Sequence, residues 1–249
     1  MNRKIGLFDS GLGGLSILKE MLKEMPNEDY LFYEDSMNNP YGEKSEEELF
    51  SITSKIVDYL LKEDCKIIVI ACNTATTSCM KLLREKYQDT IFVGTVPAIK
   101  VAYDHHYKNT IILSTPYTTK SKRVNELMSD FKNPDQNLIN VSGENLAHLI
   151  EIDDKDGIHQ LLDRVLSPYQ GKVDSVVLGC THYSLIKEDI HKHLPGVALL
   201  DGCLGVTQEV KRQLDHHKLL NRQEKEGSLT IINTKDDALI QRSIDILNS

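Results

Sequence analysis

The sequence predicts an α/β protein of two pseudo-symmetric lobes, each a mainly parallel sheet flanked by helices. Three observations carry that prediction. Short apolar runs alternate with amphipathic stretches along most of the chain, the pattern of strand–helix repeats with helices on both sheet faces. The central runs, "KIIVIA" (66–71) and "SVVLG" (175–179), are apolar or small apart from Lys66, as in strands buried on both faces. Roughly nine strand candidates fall within 249 residues, too many for one sheet of ordinary size, so two lobes are expected.

In order, "KIGLF" (4–8) is the first strand, and Leu15, Leu18, Met21, Leu22 and Met25 form a helical stripe behind it. "YLFY" (30–33) is the second strand. A helix starts at Ser45, where Glu48 three residues on completes a capping box, and its stripe runs through Leu49, Ile52, Ile56 and Leu60. After 66–71 come "IFVG" (91–94), "TIILS" (110–114), "LINV" (138–141), "SVVLG", "VALL" (197–200) and "LTII" (229–232), nearly all separated by helical patterns. "GTVPA" (94–98) is the best first crossing between lobes, since Pro97 can open a helix, and "DGCLG" (201–205) is a second. A hint of duplication supports the pairing. "IGLFDSGLGGLS" (5–16) and "TIILSTPYTTKS" (110–121) both read strand, small polar turn, helix, and each is followed about 65 residues later by a strand ending in cysteine.

Composition narrows the function classes. No apolar run approaches the roughly 18 residues of a membrane span, and the basic pair near Met1 precedes no long apolar core, so neither a membrane protein nor a signal peptide is expected. A net charge of −8 without a basic cluster argues against nucleic acid or anionic membranes as partners. Five cysteines, an odd number with no CxxC pair, argue against a disulfide scaffold and a structural zinc site; reduced cytoplasmic thiols and no metal are expected.

Ligands of parallel α/β sheets bind beyond the carboxyl ends of the strands. The polar groups expected there are Asp9 and Ser10, Cys72–Asn73–Thr74, Ser114–Thr115 and Cys180–Thr181–His182, each opening a helix. Helix amino ends suit anions and favour a thiolate. "DSGLGG" (9–14) lacks the Lys and Ser/Thr of a P-loop and is not G-x-G-x-x-G, so its glycines serve a tight turn as readily as a nucleotide. Cys65, Cys79 and Cys203 read as small packing residues. Cys72 and Cys180 stand apart, both at a strand end before polar residues. One cysteine with a histidine and an acid could act as a nucleophile. Two suggest a symmetric task, in which one thiol takes a proton while the other gives one. Racemisation at an amino-acid Cα is such a task, each thiol serving as base in one direction and acid in the other.

With these residues in hand, the chain resembles the glutamate racemase family within the aspartate/glutamate racemase superfamily. "GLFDSGLGGLS" (6–16), "NPYGEKS" (39–45), "ACNTAT" (71–76), "GTVPA" (94–98) and "VLGCTHY" (177–183) carry the resemblance in the family's order. It implies a bacterial cytoplasmic enzyme, cofactor-independent and dimeric, that supplies D-glutamate for peptidoglycan. It implies an active site in a cleft between lobes of residues 1–95 plus 204–249 and 96–203. By position it implies Cys72 and Cys180 as the catalytic pair, Asp9 as helper to the first, and His182 with Glu151 as helpers to the second. Substrate contacts map to Asp9, Ser10, Tyr41, Gly42, Asn73, Thr74, Thr181 and His182, with Thr118 a further candidate for the carboxylate. Two positions depart from the family's pattern. Tyr117 stands where a small residue is usual, and "INVSGENLAHLIE" lacks the Cys-Pro that often precedes the helix of Glu151. An aspartate racemase, a one-cysteine decarboxylase and a non-catalytic amino-acid-binding regulator are the alternatives; both cysteines being present disfavours the last two.

Overall fold

Each apolar run forms a strand, and the strands sort into two sheets. The structure is a computed structural model that describes residues 3–131 and 133–249. In chain order the elements are β1 (Lys4–Asp9), α1 (Leu15–Glu24), β2 (Tyr30–Glu34), α2 (Glu46–Lys62), β3 (Cys65–Ile70), α3 (Asn73–Lys86), β4 (Phe92–Gly94), α4 (Ile99–Asp104), β5 (Asn109–Ser114), α5 (Pro116–Lys120), α6 (Lys122–Asp130), β6 (Asn137–Ser142), α7 (Leu146–Glu151), α8 (Lys155–Leu166), β7 (Ser175–Gly179), α9 (Lys187–His193), β8 (Ala198–Leu200), α10 (Cys203–His216), β9 (Leu229–Asn233) and α11 (Ala238–Asn248). The chain divides into two compact units, Met1–Thr95 with Cys203–Ser249, and Val96–Gly202.

The first unit holds a sheet in the order β4-β3-β1-β2-β9, with every neighbouring pair parallel. All six residues of β3 are buried, as expected of a strand covered on both faces, and its one charged residue, Lys66, is paired with buried Glu28. The outermost strand β9 is half exposed, which fits its edge position. The second unit holds β6-β5-β7-β8, again all parallel, with every residue of β7 buried. Its core gathers Ile111, Leu113, Val176 and Leu178 from the sheet with Ile158, Leu162 and Leu166 from α8.

The strand order locates the functional end of each unit. In the first sheet β1 lies between β2 and β3, so the chain passes from β1 to one side and then returns to the other. In the second sheet β5 lies in the same way between β6 and β7. Each unit therefore has a topological switch point, between β1 and β3 and between β5 and β7, where the connections diverge and leave a crevice at the carboxyl ends.

Two local expectations are modified. Pro97 lies two residues before α4, which begins at Ile99, so it does not occupy the first helical position. Cys180 opens a six-residue 3₁₀ stretch, Thr181–Ile186, before α9 begins at Lys187. By contrast, the capping box at α2 is formed in full: Glu48 N donates to Ser45 Oγ at 3.2 Å and Ser45 N to Glu48 Oε2 at 3.2 Å. Ser45→Ala leaves an amino-end N–H of α2 without its side-chain acceptor and is expected to lower stability by about 1 kcal/mol. Urea unfolding checks this as a lower midpoint at unchanged slope.

Candidate active site

In the first unit the site is built on the switch point between β1 and β3. β1 ends on Asp9, which is fully buried; its Oδ1 accepts from Ser10 N at 2.6 Å and from Ser10 Oγ at 3.3 Å. The "DSGLGG" turn folds back over this strand end. A Cβ on Gly14 would lie 2.9 Å from Asp9 Cβ and 2.9 Å from the Phe32 ring, so the close approach requires glycine there. Next to it, β2 ends at Glu34, and Asp35 N donates to Asp9 O at 2.9 Å. The following turn returns Asn39 and Tyr41 to the same end. Asn39 Nδ2 donates to Ser10 O at 3.0 Å, and the Tyr41 hydroxyl donates to Asp35 Oδ2 at 2.7 Å. Tyr41 is buried in one cluster with Phe8, Cys72 and Ala75, and Gly42 follows it in a 3₁₀ turn.

Cys72 caps the amino end of α3 and is 5% exposed. Asn73 and Thr74, both buried, are the first two residues of that 14-residue helix, so their N–H groups belong to the turn without intrahelical acceptors. The helix field favours negative charge at Cys72 and an anionic group in front of it. Burial, then the charge and hydrogen bond of Asp35, then the neighbouring Cys72 and Asp9, hold the Tyr41 phenol well above its ordinary pKa, so it stays a donor. Asp35 itself is raised by burial, against which the hydrogen bonds from Tyr41, Asn38 and Thr234 and the charge of Lys44 act.

In the second unit β7 ends on Gly179, opposite Ser114 of β5. A Cβ on Gly179 would lie 2.7 Å from Ser114 Cβ and 3.0 Å from Leu113 O, so only glycine lets the two strands close at this register. Cys180 follows, 7% exposed. Its Sγ is 3.9 Å from His182 Nδ1, and His182 Nε2 is 2.8 Å from Oε2 of Glu151, the last residue of α7. The thiol, imidazole and carboxylate thus form a row, and the Glu151 side chain is 14% exposed, not a solvated helix residue. Burial of His182 disfavours its charged form, but the hydrogen bonds and charges of Cys180 and Glu151 outweigh it, and its pKa stands well above the ordinary histidine value. Thr181 is buried beside them, and the Tyr183 hydroxyl donates to Gly143 O at 3.1 Å. Across the switch point, Thr115 caps α5; Thr115 Oγ1 donates to Oγ1 of the fully buried Thr118 at 3.0 Å, and Tyr117 between them is half-buried.

The structure therefore brings Asp9, Ser10, Tyr41, Gly42, Cys72, Asn73 and Thr74 to the carboxyl end of the first sheet. It brings Thr118, Glu151, Cys180, Thr181 and His182 to that of the second. Asp35 and Asn39 share the first sheet's strand end with the candidate residues and were missed by sequence reasoning; an acid directly after a strand, as in "YEDS", was the available signal for the first. The remaining thiols differ in kind. Burial pushes Cys65 up to about 12 and Cys79 to about 11, leaving inert thiols inside the first unit. Among the described residues no cysteine is in a disulfide. Among the described residues no group of three or more His, Cys, Asp or Glu side chains is arranged to hold a metal ion, and no helix is long and apolar enough to cross a membrane.

The architecture of two parallel α/β units recurs in known proteins. The profile of the Asp/Glu/Hydantoin racemase family matches residues 14–210. The glutamate racemase of Clostridium botulinum (strain Alaska E43 / Type E3) is 39% identical over 254 residues, covering 100% of this chain and 98% of the relative. Escherichia coli glutamate racemase, solved with L-glutamate and the activator UDP-MurNAc-ala, superposes with a TM-score of 0.83 at 30% identity over 97% of this chain and 95% of that one. The Francisella tularensis glutamate racemase, solved with D-glutamate, gives 0.83 at 25% identity over 100% and 94%. The fold and these relatives define an isomerase. The chain belongs to the Asp/Glu/Hydantoin racemase family, and within it to the glutamate racemases.

Proposed function

We propose that the enzyme interconverts L- and D-glutamate by moving the Cα proton between two thiols, Cys72 serving one face of Cα and Cys180 the other, with no cofactor taking part. The observation that carries this reading is the matched position of the two cysteines, each just past the third strand of its unit and beside the switch point. The thiolate form of one removes the proton, the thiol form of the other delivers one, and the roles reverse for the opposite enantiomer. Charge develops on the substrate carboxylate as the proton leaves. The N–H groups at the start of α3 and the hydroxyls of Ser10, Thr74, Thr118 and Thr181 are donors suited to hold it, with Tyr41 and Gly42 lining the same end. Asp9 assists Cys72, as acceptor for the substrate ammonium or as proton partner of the thiol. His182, held by Glu151, assists Cys180. The relatives' glutamate complexes support glutamate over aspartate as substrate. A cytoplasmic homodimer feeding D-glutamate to peptidoglycan is the physiological setting the family supports.

The test is polarimetric. Purified protein without added cofactor is expected to bring the circular dichroism of either L- or D-glutamate to zero and to leave L-aspartate optically active. Faster loss of the aspartate signal would make it an aspartate racemase. Saturable glutamate binding with an unchanging signal would make it a binding regulator.

A further inference from the structure

We propose that Thr234, beyond the residues matched by the family profile, is a positioning residue for the substrate site of the first unit, acting through Asp35 on Tyr41. The inference rests on the reading of Tyr41 as a site residue.

The segment that carries Asp35, Asn39 and Tyr41 leaves β2 with little structure of its own, only two single-turn 3₁₀ elements, Ser36–Asn38 and Tyr41–Glu43. Its shape is imposed from about two hundred residues away. Asn233 Nδ2 donates to Glu34 Oε2 at 2.9 Å and to Ser36 Oγ at 3.0 Å, and Ser243 Oγ of α11 donates to Glu34 Oε1 at 2.6 Å. Thr234 N donates to Glu34 O at 3.0 Å. The Thr234 hydroxyl completes the grip with both its hydrogen-bonding capacities: it accepts from Met37 N at 3.0 Å and donates to Asp35 Oδ1 at 3.2 Å.

That last bond falls on a carboxylate 2% exposed, whose other partners are Asn38 Nδ2, at 2.9 and 3.0 Å from its two oxygens, and the Tyr41 hydroxyl at 2.7 Å. The titratable and charged groups acting on or with Asp35 are Tyr33 of β2, Tyr41 and Lys44. A buried carboxylate stays an anion only through such donors. Removing the Thr234 hydroxyl takes one away. Asp35 then binds a proton more readily, its hold on the phenol weakens, and Tyr41 loses its fixed place beside Cys72.

Thr234 is half-buried, so Thr234→Val, equal in shape but without the hydroxyl, is compatible with the fold. It is expected to lower kcat/KM for glutamate about fivefold at neutral pH. The deficit should grow as pH falls, because the acid limb of the profile moves to higher pH; Thr234→Ser, which keeps the hydroxyl, should restore the wild-type profile. Asp35→Asn combined with Thr234→Val should be no slower than Asp35→Asn alone, since both act on one contact. A purely structural Thr234 would lower the melting temperature and leave the pH profile in place. That outcome, or full additivity with Asp35→Asn, overturns the proposal. Wild-type kinetics in Tyr41→Phe would instead remove the site reading on which it rests.

Discussion

Cys72→Ala and Cys180→Ala are each expected to reduce racemisation by about 10³-fold or more, without loss of folding. Positioned acid–base groups contribute roughly 10²–10⁴ each, and the Cα–H of an amino acid is too weakly acidic for water to replace a missing thiol. Both side chains are nearly buried, and alanine in place of cysteine removes only one sulfur atom from each position, so the fold should persist. The two variants should nevertheless differ in what they retain. With one thiol left, the enzyme can still take the proton from the enantiomer whose Cα–H faces that thiol and return a solvent proton to the same face. In deuterium oxide, Cys72→Ala is therefore expected to exchange the α-proton of one enantiomer, and Cys180→Ala that of the other, with no inversion. Proton NMR of recovered glutamate reads the exchange, and circular dichroism reads the inversion. Full racemisation by either variant would sink the two-thiol assignment, and a shared preference for the same enantiomer would sink the assignment of one thiol to each face.

What the chain discloses unaided follows from the range of its interactions. All nine strands are visible as short apolar-rich runs, most plainly the central β3 and β7, because a parallel strand covered on both faces is apolar along most of its length, and that is a local property of the chain. The strand-end places of Cys72 and Cys180 are visible because strand ends and helix starts are also local. Strand order is not local. Nothing in "LTII" says that β9 pairs with β2, about two hundred residues earlier, and it is this pairing that brings Asn233 and Thr234 to the end of β2. Asp35 was missed for the same reason, since its meaning depends on Tyr41 and Thr234 and not on its neighbours in the chain. Glu151 is the instructive intermediate. Its surrounding sequence departs from the family's usual pattern, yet α7 ends at the point that gives its carboxylate to His182. A helix end can be held by packing of Leu146 and Ile150 into the core while the preceding loop changes.

The Cys180–His182–Glu151 row carries the second large expectation, His182→Asn lowering kcat/KM at pH 7 by about 100-fold. The imidazole is fully enclosed, and an enclosed imidazole would ordinarily be neutral; it is held charged by the sulfur on one side and the carboxylate on the other. An imidazolium beside Cys180 offsets the thiolate charge when that thiol acts as base, and asparagine supplies neither the charge nor the link to Glu151. The sign of the pH effect follows from the raised pKa. The bound proton stabilises the folded state fully below the unfolded histidine value of about 6.5, and that contribution is lost as pH rises through the higher folded value. Because the charged imidazole is the form that offsets the Cys180 thiolate, wild-type kcat/KM should fall as pH rises through that raised value, and His182→Asn should lack this alkaline limb. Glu151→Gln separates the two supports of the imidazolium. It keeps a hydrogen-bond acceptor but removes the carboxylate charge, so His182 should release its proton at lower pH and the alkaline limb should move down, with a smaller loss at pH 7 than in His182→Asn. An alkaline limb that stays in place in Glu151→Gln would mean that the carboxylate only orients the ring; one that persists in His182→Asn would assign the limb to a different group.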